Sequence, residues 1–248
     1  MELLYVIIAL VLGSVGSVAL AGLMLLLGDE KLDKFSTYLM YLAGGTLLGA
    51  SFLGMIPKAI SLSSSVITLQ SILFGILFFF ILEKVILWRS CRNKDCERHS
   101  HAAAPIILIG DAFHNAIDGV VIAASFLTSV ELGIFVTLSV VLHEIPQELG
   151  DFGILIKSGY SRSKAFWYNA LSGATAIVFG IAAFFTLETV TSLIPYALAF
   201  SASSFLYIAL ADLIPEMHRK TSFRDSITQI VLIVLGILII YLSLHLKK

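Results

Sequence analysis

Two short stretches of the sequence hold most of the side chains that could bind a metal ion. The first reads GDAFHNAIDG, from Gly110 to Gly119, and the second reads HEIPQELGD, from His143 to Asp151. Both lie inside long apolar runs, where an unpaired ionisable side chain is costly to bury. No Lys or Arg occurs between residues 105 and 156. The acidic side chains of both stretches therefore need a cation that the neighbouring sequence does not supply.

The spacing within each stretch places its polar side chains along a helix. The first stretch carries Asp111, His114, Asn115 and Asp118, and the second carries His143, Glu144, Gln147, Glu148 and Asp151. Positions three and four apart share one helix face. With a rise of 1.5 Å per residue, His114 lies about 14 Å into its apolar run, near the centre of a hydrocarbon layer about 30 Å thick. Only a short turn at 128–130 separates the two runs, so we predict adjacent helices with polar stripes at one depth.

The donor types in these stripes favour a divalent transition metal. Imidazole together with carboxylate binds Zn²⁺ and its neighbours Fe²⁺, Mn²⁺ and Cd²⁺ rather than Na⁺ or K⁺. Pro146 lacks an N–H, so the Leu142 carbonyl loses its helical partner and is free to face water or a cation. The alternative is that protonated groups simply hydrogen-bond between the helices. The density of the cluster favours the metal.

The composition indicates which structural elements hold these side chains in place. Of the 248 residues 58% are hydrophobic and 13% charged, and unbroken apolar runs of about 20 residues are membrane-spanning helices rather than the shorter alternating segments of a β-barrel. We predict an all-α polytopic membrane protein, a single membrane domain over 1–248. Its eight transmembrane helices are expected at about 3–27, 35–60, 66–88, 105–128, 131–158, 162–186, 190–217 and 225–246.

The basic residues predict the orientation. Thirteen of the 16 Lys and Arg residues fall in the odd-numbered connectors, and three fall on the opposite side. The positive-inside rule then puts the odd connectors in the cytoplasm and both termini outside. A formal net charge of −1 gives no reason to expect a nucleic-acid partner.

The third connector, residues 89–104, is a Cys/His-bearing loop on the predicted cytoplasmic side. Cysteines there are expected to be reduced. With two histidines they could bind a soft or borderline metal, although the spacing matches no standard zinc module; a solvated loop is the alternative. The candidate ligands are Cys91, Cys96, His99 and His101.

A weak internal similarity links the second and seventh helices. GGTLLGASFLGMIPKA and SSFLYIALADLIPEM both run from small residues to an Ile-Pro pair, at Pro57 and Pro215. Because the two helices are predicted to run in opposite directions, this fits an inverted repeat of a transporter, or ordinary membrane-helix composition. On the seventh helix, Asp212 and Glu216 are either a metal exit or a solvated helix end.

The stretches GDAFHNAIDGVVIAASF and HEIPQELGDFGILIKSG resemble the fourth- and fifth-helix signatures of the ZIP (Zrt/Irt-like) divalent metal transporters, in the subfamily with a HExPxExGD motif. FLYIALADLIPEM is similar to its seventh helix. The resemblance implies a 3+2+3 bundle, with helices 1–3 and 6–8 as the repeat, and a binuclear centre between helices four and five. It implies one metal position at His114, Asp118, His143 and Gln147, a second at Asn115, Glu144 and Gln147, and supporting or pathway roles for Asp111, Glu148 and Asp151.

Three features depart from the family pattern. Gln147 stands where other members have a bridging Glu or a His, which puts the binuclear state and the metal preference in question. Gly54 and Lys58 stand where many members carry His and Glu, and Lys58 would repel an arriving cation. The sequence has no large extracellular domain, which suggests a minimal microbial protein in the plasma (cytoplasmic) membrane.

The predicted function is transport of Zn²⁺, or of Cd²⁺, Fe²⁺ or Mn²⁺, toward the cytoplasm, with the metal as substrate and no catalytic cofactor. The expected partners are divalent metal ions and the lipid bilayer. The sequence does not decide whether the protein forms a homodimer, or whether it acts as a carrier or as a channel. One alternative is a metal sensor or receptor without transport. Another, an intramembrane zinc metalloprotease, fits poorly because Gln147 replaces the second His of HExxH and Pro146 interrupts the helix. We therefore predict no enzyme.

Overall fold

A computed structural model describes residues 2–26, 29–90 and 100–245, which form eight continuous helices and no strand. The predicted all-α class is confirmed. The helices are α1 (Glu2–Val11, Leu12–Gly16 and Ser17–Met24), α2 (Asp29–Gly49, Ala50–Met55 and Ile56–Leu62), α3 (Ser65–Ser90), α4 (Ser100–Phe126), α5 (Val130–Lys157), α6 (Arg162–Thr189), α7 (Thr191–Leu193, Ile194–Tyr207, Ile208–Leu213 and Ile214–Met217) and α8 (Phe223–His245).

Within the described ranges, seven of these helices are long and apolar enough to cross a membrane. They are α1, α2, α3, α5, α6, α7 and α8, so the protein is a polytopic helical membrane protein. Helix α4 has 27 residues but is not among the seven. The polar residues of GDAFHNAIDG lie at its centre.

Short capped turns set α4, α5 and α6 side by side. The Ser129 hydroxyl accepts a hydrogen bond from the Leu132 N–H at the start of α5, and caps of this kind satisfy free N–H groups of the first turn. After α5, Gly159 takes a φ of 87°, a conformation that glycine adopts without steric cost. The polar faces of α4 and α5 therefore start from a fixed, tight connection.

Helices α2 and α7 share a local distortion. In each, a six-residue π-helical segment, Ala50–Met55 or Ile208–Leu213, directly precedes an Ile-Pro pair. A wide π turn gives room to a proline that cannot donate a backbone hydrogen bond. The sequence similarity between these helices thus has a counterpart in their backbone.

Helices α4 and α6 pack with their backbones in close approach. A side-chain carbon at Gly119 would overlap the carbonyl oxygen of Ala176 on α6. The hydroxyls of Ser172 and Thr175 donate to the carbonyls of Leu108 and Ala112, at 3.1 and 2.7 Å. This contact fixes the rotation of α4.

We predict that Gly119→Ala lowers the free energy of unfolding by about 1–3 kcal/mol, because the added methyl group is forced against backbone that cannot move aside. Thermal unfolding of the purified protein in detergent measures the change. Gly153→Ala on α5 is the matched control, since an added carbon there meets no atom within 4 Å and Ala is favoured over Gly in a helix. Equal stability of the two variants would contradict the close packing of α4 and α6.

Candidate metal centre

Four ligand atoms from α4 and α5 converge on one point between the helices. They are His114 Nε2, Asp118 Oδ2, His143 Nε2 and Glu144 Oε1, and we call these residues the mixed-ligand group. His114 Nε2 lies 3.2 Å from His143 Nε2 and 3.3 Å from Glu144 Oε1. His143 Nε2 lies 3.1 Å from Asp118 Oδ2 and 3.8 Å from Glu144 Oε1.

These separations match the edges of a tetrahedral zinc site. Zinc bonds of about 2.0–2.1 Å to nitrogen and oxygen place neighbouring ligand atoms about 3.3–3.4 Å apart. A fifth separation, from His114 Nε2 to Asp118 Oδ2, is the longest of the five at 3.9 Å. Small side-chain movements would therefore bring all four atoms to bonding distance of one ion.

His143 is held in the tautomer that a metal requires. Its Nδ1 lies 2.8 Å from the carbonyl oxygen of Ser139, one turn earlier on α5. A carbonyl oxygen only accepts, so Nδ1 carries a proton, and in the neutral ring this leaves the Nε2 lone pair free for a cation. Phe205 of α7 packs edge-on against the ring, with centroids 5.8 Å apart. Such outer contacts orient a ligating imidazole and raise its affinity for metal.

Three of the four side chains in the mixed-ligand group are buried, and the fourth, that of His114, is partly exposed. Asp118, His143 and Glu144 are at most 2% exposed, whereas the side chain of His114 is 17% exposed. With His143 Nε2 unprotonated, neither oxygen of Asp118 receives a hydrogen bond from any residue that the structure describes. A divalent cation would neutralise these carboxylates, which otherwise destabilise the bundle.

The two amides predicted as ligands face a carboxylate of α4. Asn115 Nδ2 and Gln147 Nε2 both donate to Asp111 Oδ1, at 3.0 and 3.2 Å. One oxygen each of Asp111, Glu144 and Glu148 forms a second cluster, within 4.8 Å of one another. The structure thus brings Asp111 and Glu148 next to the mixed-ligand group, and Glu144 belongs to both clusters.

A cavity of about 690 Å³ leads from His114 and His143 to the exposed end of α7. The other predicted pathway residues line it: Asp151 on α5, and Asp212 and Glu216 on α7, where Glu216 is paired with Arg219 at 2.9 Å.

Glu83 of α3 and Tyr207 of α7 also line the cavity, and the Tyr207 hydroxyl donates to the Glu83 carboxylate. Sequence reasoning did not select this pair. Glu83 stands beside Lys84 at the end of an apolar run, where a charged residue is ordinary, and its distance in sequence from Tyr207 gives no signal of contact.

Two other sets of predicted residues lie away from this centre. Gly54 packs against Leu132, and Lys58 is half-buried near the far end of α2. Cys91, Cys96 and His99 of the loop lie outside the described residues, as does the side chain of His101.

The fold and the site together define a helical membrane protein with a buried cluster of nitrogen and oxygen donors, of a kind that could hold a cation, at the end of a cavity. The family model described as ZIP Zinc transporter matches residues 89–244. The chain belongs to this family.

Individual relatives agree with this assignment. Zinc transporter ZIP13 of Pongo abelii is 31% identical over 220 residues, covering 82% of this chain and 65% of the relative. Zinc transporter zipt-7.2 of Caenorhabditis elegans is 37% identical over 152 residues, covering 59% and 32%. Zinc transporter foi of Drosophila melanogaster is 40% identical over 140 residues, covering 55% and 19%. The chain therefore spans less than two thirds of each of these animal proteins.

We predict that the double variant His114→Ala/His143→Ala binds Zn²⁺ at least about tenfold more weakly than the wild type, because even a residue that only supports a ligand changes affinity 10–100-fold. Titration calorimetry on purified protein in detergent measures the affinity. Zinc should also raise the melting temperature of the wild type and leave that of the variant unchanged. His218→Ala, at an exposed position, is the control. If the folded double variant bound Zn²⁺ with wild-type affinity, the mixed-ligand group would not be the zinc site.

Proposed function

We propose that this protein transports Zn²⁺ across a membrane toward the cytoplasm and that the mixed-ligand group is its binding site at the bilayer midplane. The observation that carries the proposal is the convergence of two imidazoles and two carboxylates, at near-tetrahedral separations, at the inner end of a cavity. Family membership supports zinc as the substrate. Cd²⁺, Fe²⁺ and Mn²⁺ are further candidates, since they accept the same donors.

The proposed architecture is an eight-span 3+2+3 bundle. Helices α4 and α5 form the central pair, and α1–α3 and α6–α8 are the halves of an inverted repeat. Support comes from the π segments of α2 and α7, each followed by Ile-Pro. In this arrangement α4 also crosses the membrane, with its polar face covered by α5 and α7.

The side on which the cavity opens is inferred from the cavity lining and the charge distribution, and the direction of transport is proposed from the sequence. The cavity opens at the end of α7 that carries Arg219, and the basic residues near this end favour the cytoplasmic side. In the opposite half of the bundle, apolar side chains such as Leu47, Val140 and Phe205 are buried and close the path. We infer a conformation open to the cytoplasm, with both termini outside, and alternating access by movement of helix groups.

The ligand set predicted from the sequence comprises His114, Asn115, Asp118, His143, Glu144 and Gln147, and it is retained as a proposal. Gln147 is the residue expected to tune metal preference. It is neutral, lines the cavity and contacts Asp111. A carboxylate at position 147 would add a negative oxygen donor beside the mixed-ligand group.

We expect saturable uptake of Zn²⁺ into liposomes that contain purified wild-type protein, and none with His114→Ala/His143→Ala. Zn²⁺, Cd²⁺, Fe²⁺ and Mn²⁺ are compared, with Gln147→Glu beside the wild type, because the added carboxylate should shift the order of uptake rates. His218→Ala serves again as the histidine control. Zinc binding without uptake by wild-type protein would favour a sensor and refute transport.

The orientation predicts which side of the membrane reaches the cavity. After replacement of Cys91 and Cys96 by serine, a cysteine introduced by Ala211→Cys should react with an impermeant maleimide only from the cytoplasmic side, since Ala211 is exposed and lines the cavity. Ser64→Cys, in the connector between α2 and α3, should react only from the other side. Reaction of both cysteines from one side, or of each from the opposite side, would contradict the proposed orientation.

A further inference from the structure

A groove of about 390 Å³ runs along α4, and side chains of α3, α6 and α7 complete its walls. On α4 it is lined from Ile109 to Val120, and on the other helices by the rings of Phe78, Phe179 and Phe200. Its residues on α4 recur at intervals of three and four, so they form one stripe along the helix. We call this cavity the apolar groove.

The apolar groove is where α4 meets the bilayer. Among residues 108–126, the part of α4 whose side chains the structure describes, only Ile109 and Phe113 are exposed. They are 57% and 54% exposed, and both line the groove. The protein is a helical membrane protein, so hydrocarbon is the medium at this depth. Whatever fills the groove is therefore the main contact of α4 outside the protein.

The dimensions of the apolar groove fit one hydrocarbon chain. From Ile109 to Val120 the groove is about 16 Å long, at a rise of 1.5 Å per residue. One leaflet of a hydrocarbon layer about 30 Å thick has a depth of about 15 Å. A volume of about 390 Å³ over this length leaves a cross-section of roughly 24 Å². A helix with its side chains is about 10 Å across and is too wide, whereas packed carbon atoms lie about 4 Å apart, so a single chain fits.

The chemistry of the lining favours hydrocarbon over water. None of the described residues that line the groove is charged, and only Thr175 and Ser201 are polar. The Thr175 hydroxyl already donates to the Ala112 carbonyl, at 2.7 Å. The Ser201 hydroxyl is buried and has no hydrogen-bond partner among the described residues. A water molecule needs two to four polar partners, and this lining does not offer them.

Ile117 separates the apolar groove from the metal cavity, because its side chain lines both. It lies between His114 and Asp118, which belong to the mixed-ligand group. On its α6 side, α4 is held by backbone contact at Gly119. On the groove side, the exposed stripe of α4 has no such support from the described part of the chain. An occupant of the groove would complete the packing of the helix that carries these two ligands.

We propose that the apolar groove is a binding site for one acyl chain of a membrane phospholipid, and that this chain supports α4 behind the metal cavity. The occupant is a lipid of the surrounding bilayer, because the groove opens to hydrocarbon and is too narrow for a helix of another protein. The proposal goes beyond the proposed function and does not depend on transport. It requires only that α4 lies in the membrane with its stripe in the groove.

Lipid retention by the full-length protein tests the proposal. The protein is reconstituted in phosphatidylcholine vesicles, extracted with detergent until bulk lipid is removed, and weighed by native mass spectrometry. We expect one phosphatidylcholine molecule to stay on each wild-type chain. Ala116→Phe should lose it, because Ala116 lines the groove and the added ring would fill it. Ala182→Phe, at an exposed position of the same helix bundle outside the groove, should keep it.

Overpacking by a large side chain can destabilise a helix contact, so Ala112→Leu, at a half-buried position of the lining, is a smaller second variant. It should also lose the lipid. Equal retention in the wild type and both groove variants would overturn the proposal, as would the absence of retained lipid from the wild type. A lipid-free dimer that the groove variants abolish would place a second copy of the chain there and overturn it as well.

Photolabelling locates the chain. Phosphatidylcholine with a diazirine at the middle of one acyl chain should label Ile109 or Phe113 in vesicles containing the wild-type protein. Val231 and Leu235, exposed on α8, report contact with bulk lipid. Ala116→Phe should lower labelling of α4 at least about tenfold relative to α8, since a filled groove excludes the chain. Unchanged relative labelling of α4 would show ordinary bilayer contact and overturn the proposal.

The melting temperature tests whether the chain supports α4. A ligand that binds only the folded state raises the melting temperature as its concentration increases. Phosphatidylcholine added to delipidated wild-type protein and to Ala182→Phe should therefore raise it, and Ala116→Phe should not respond. Equal responses of all three proteins would overturn the supporting role. None of these measurements involves a metal ion, so failure of zinc uptake would refute the proposed function and leave the lipid site standing.

Discussion

The structure depends on burying acidic side chains between α4 and α5, on segments of these helices that carry no Lys or Arg. Asp111, Asp118, Glu144 and Glu148 are all buried, and their helices contain no Lys or Arg between residues 105 and 156. The imidazoles of His114 and His143 are the only side chains there that could carry positive charge. Because charge in hydrocarbon is tolerated only when it is neutralised, a bound cation would stabilise these carboxylates. The rest of the bundle forms the frame that holds these groups together.

That frame is built from close backbone contacts rather than from polar bonds alone. Gly119 lets α4 approach α6 at the carbonyl of Ala176, and Gly45 and Gly236 allow a similar approach of α2 and α8. Small residues at such contacts are the usual means of packing helices in lipid. With α4 held from behind by α6, its polar face can only turn toward α5 and α7, where His143 and Phe205 complete the site.

Some features of the site could be predicted from the sequence because they follow from local periodicity. The spacing of His114 and Asp118, and of His143 and Gln147, places each pair on one helix face, and the short connector at 128–130 makes α4 and α5 neighbours. The convergence of His114, Asp118, His143 and Glu144 agrees with that expectation. The direction of the Asn115 and Gln147 amides could not be predicted, since it depends on where Asp111 lies at the helix interface. The contact of Glu83 with Tyr207 could not be predicted either, because these residues are far apart in the chain.

The sequence by itself determined the helical class, the membrane environment and the donor chemistry, because composition and period need no knowledge of long-range contacts. It also determined the family, through motifs that each lie within a single helix. Only the tertiary structure decided which oxygens face one another, that Glu144 joins two clusters, and that the cavity opens at the Arg219 end of the bundle. These features depend on the rotation and tilt of packed helices. Rotation and tilt are set by contacts such as Gly119 with Ala176, between residues whose proximity no local pattern reveals.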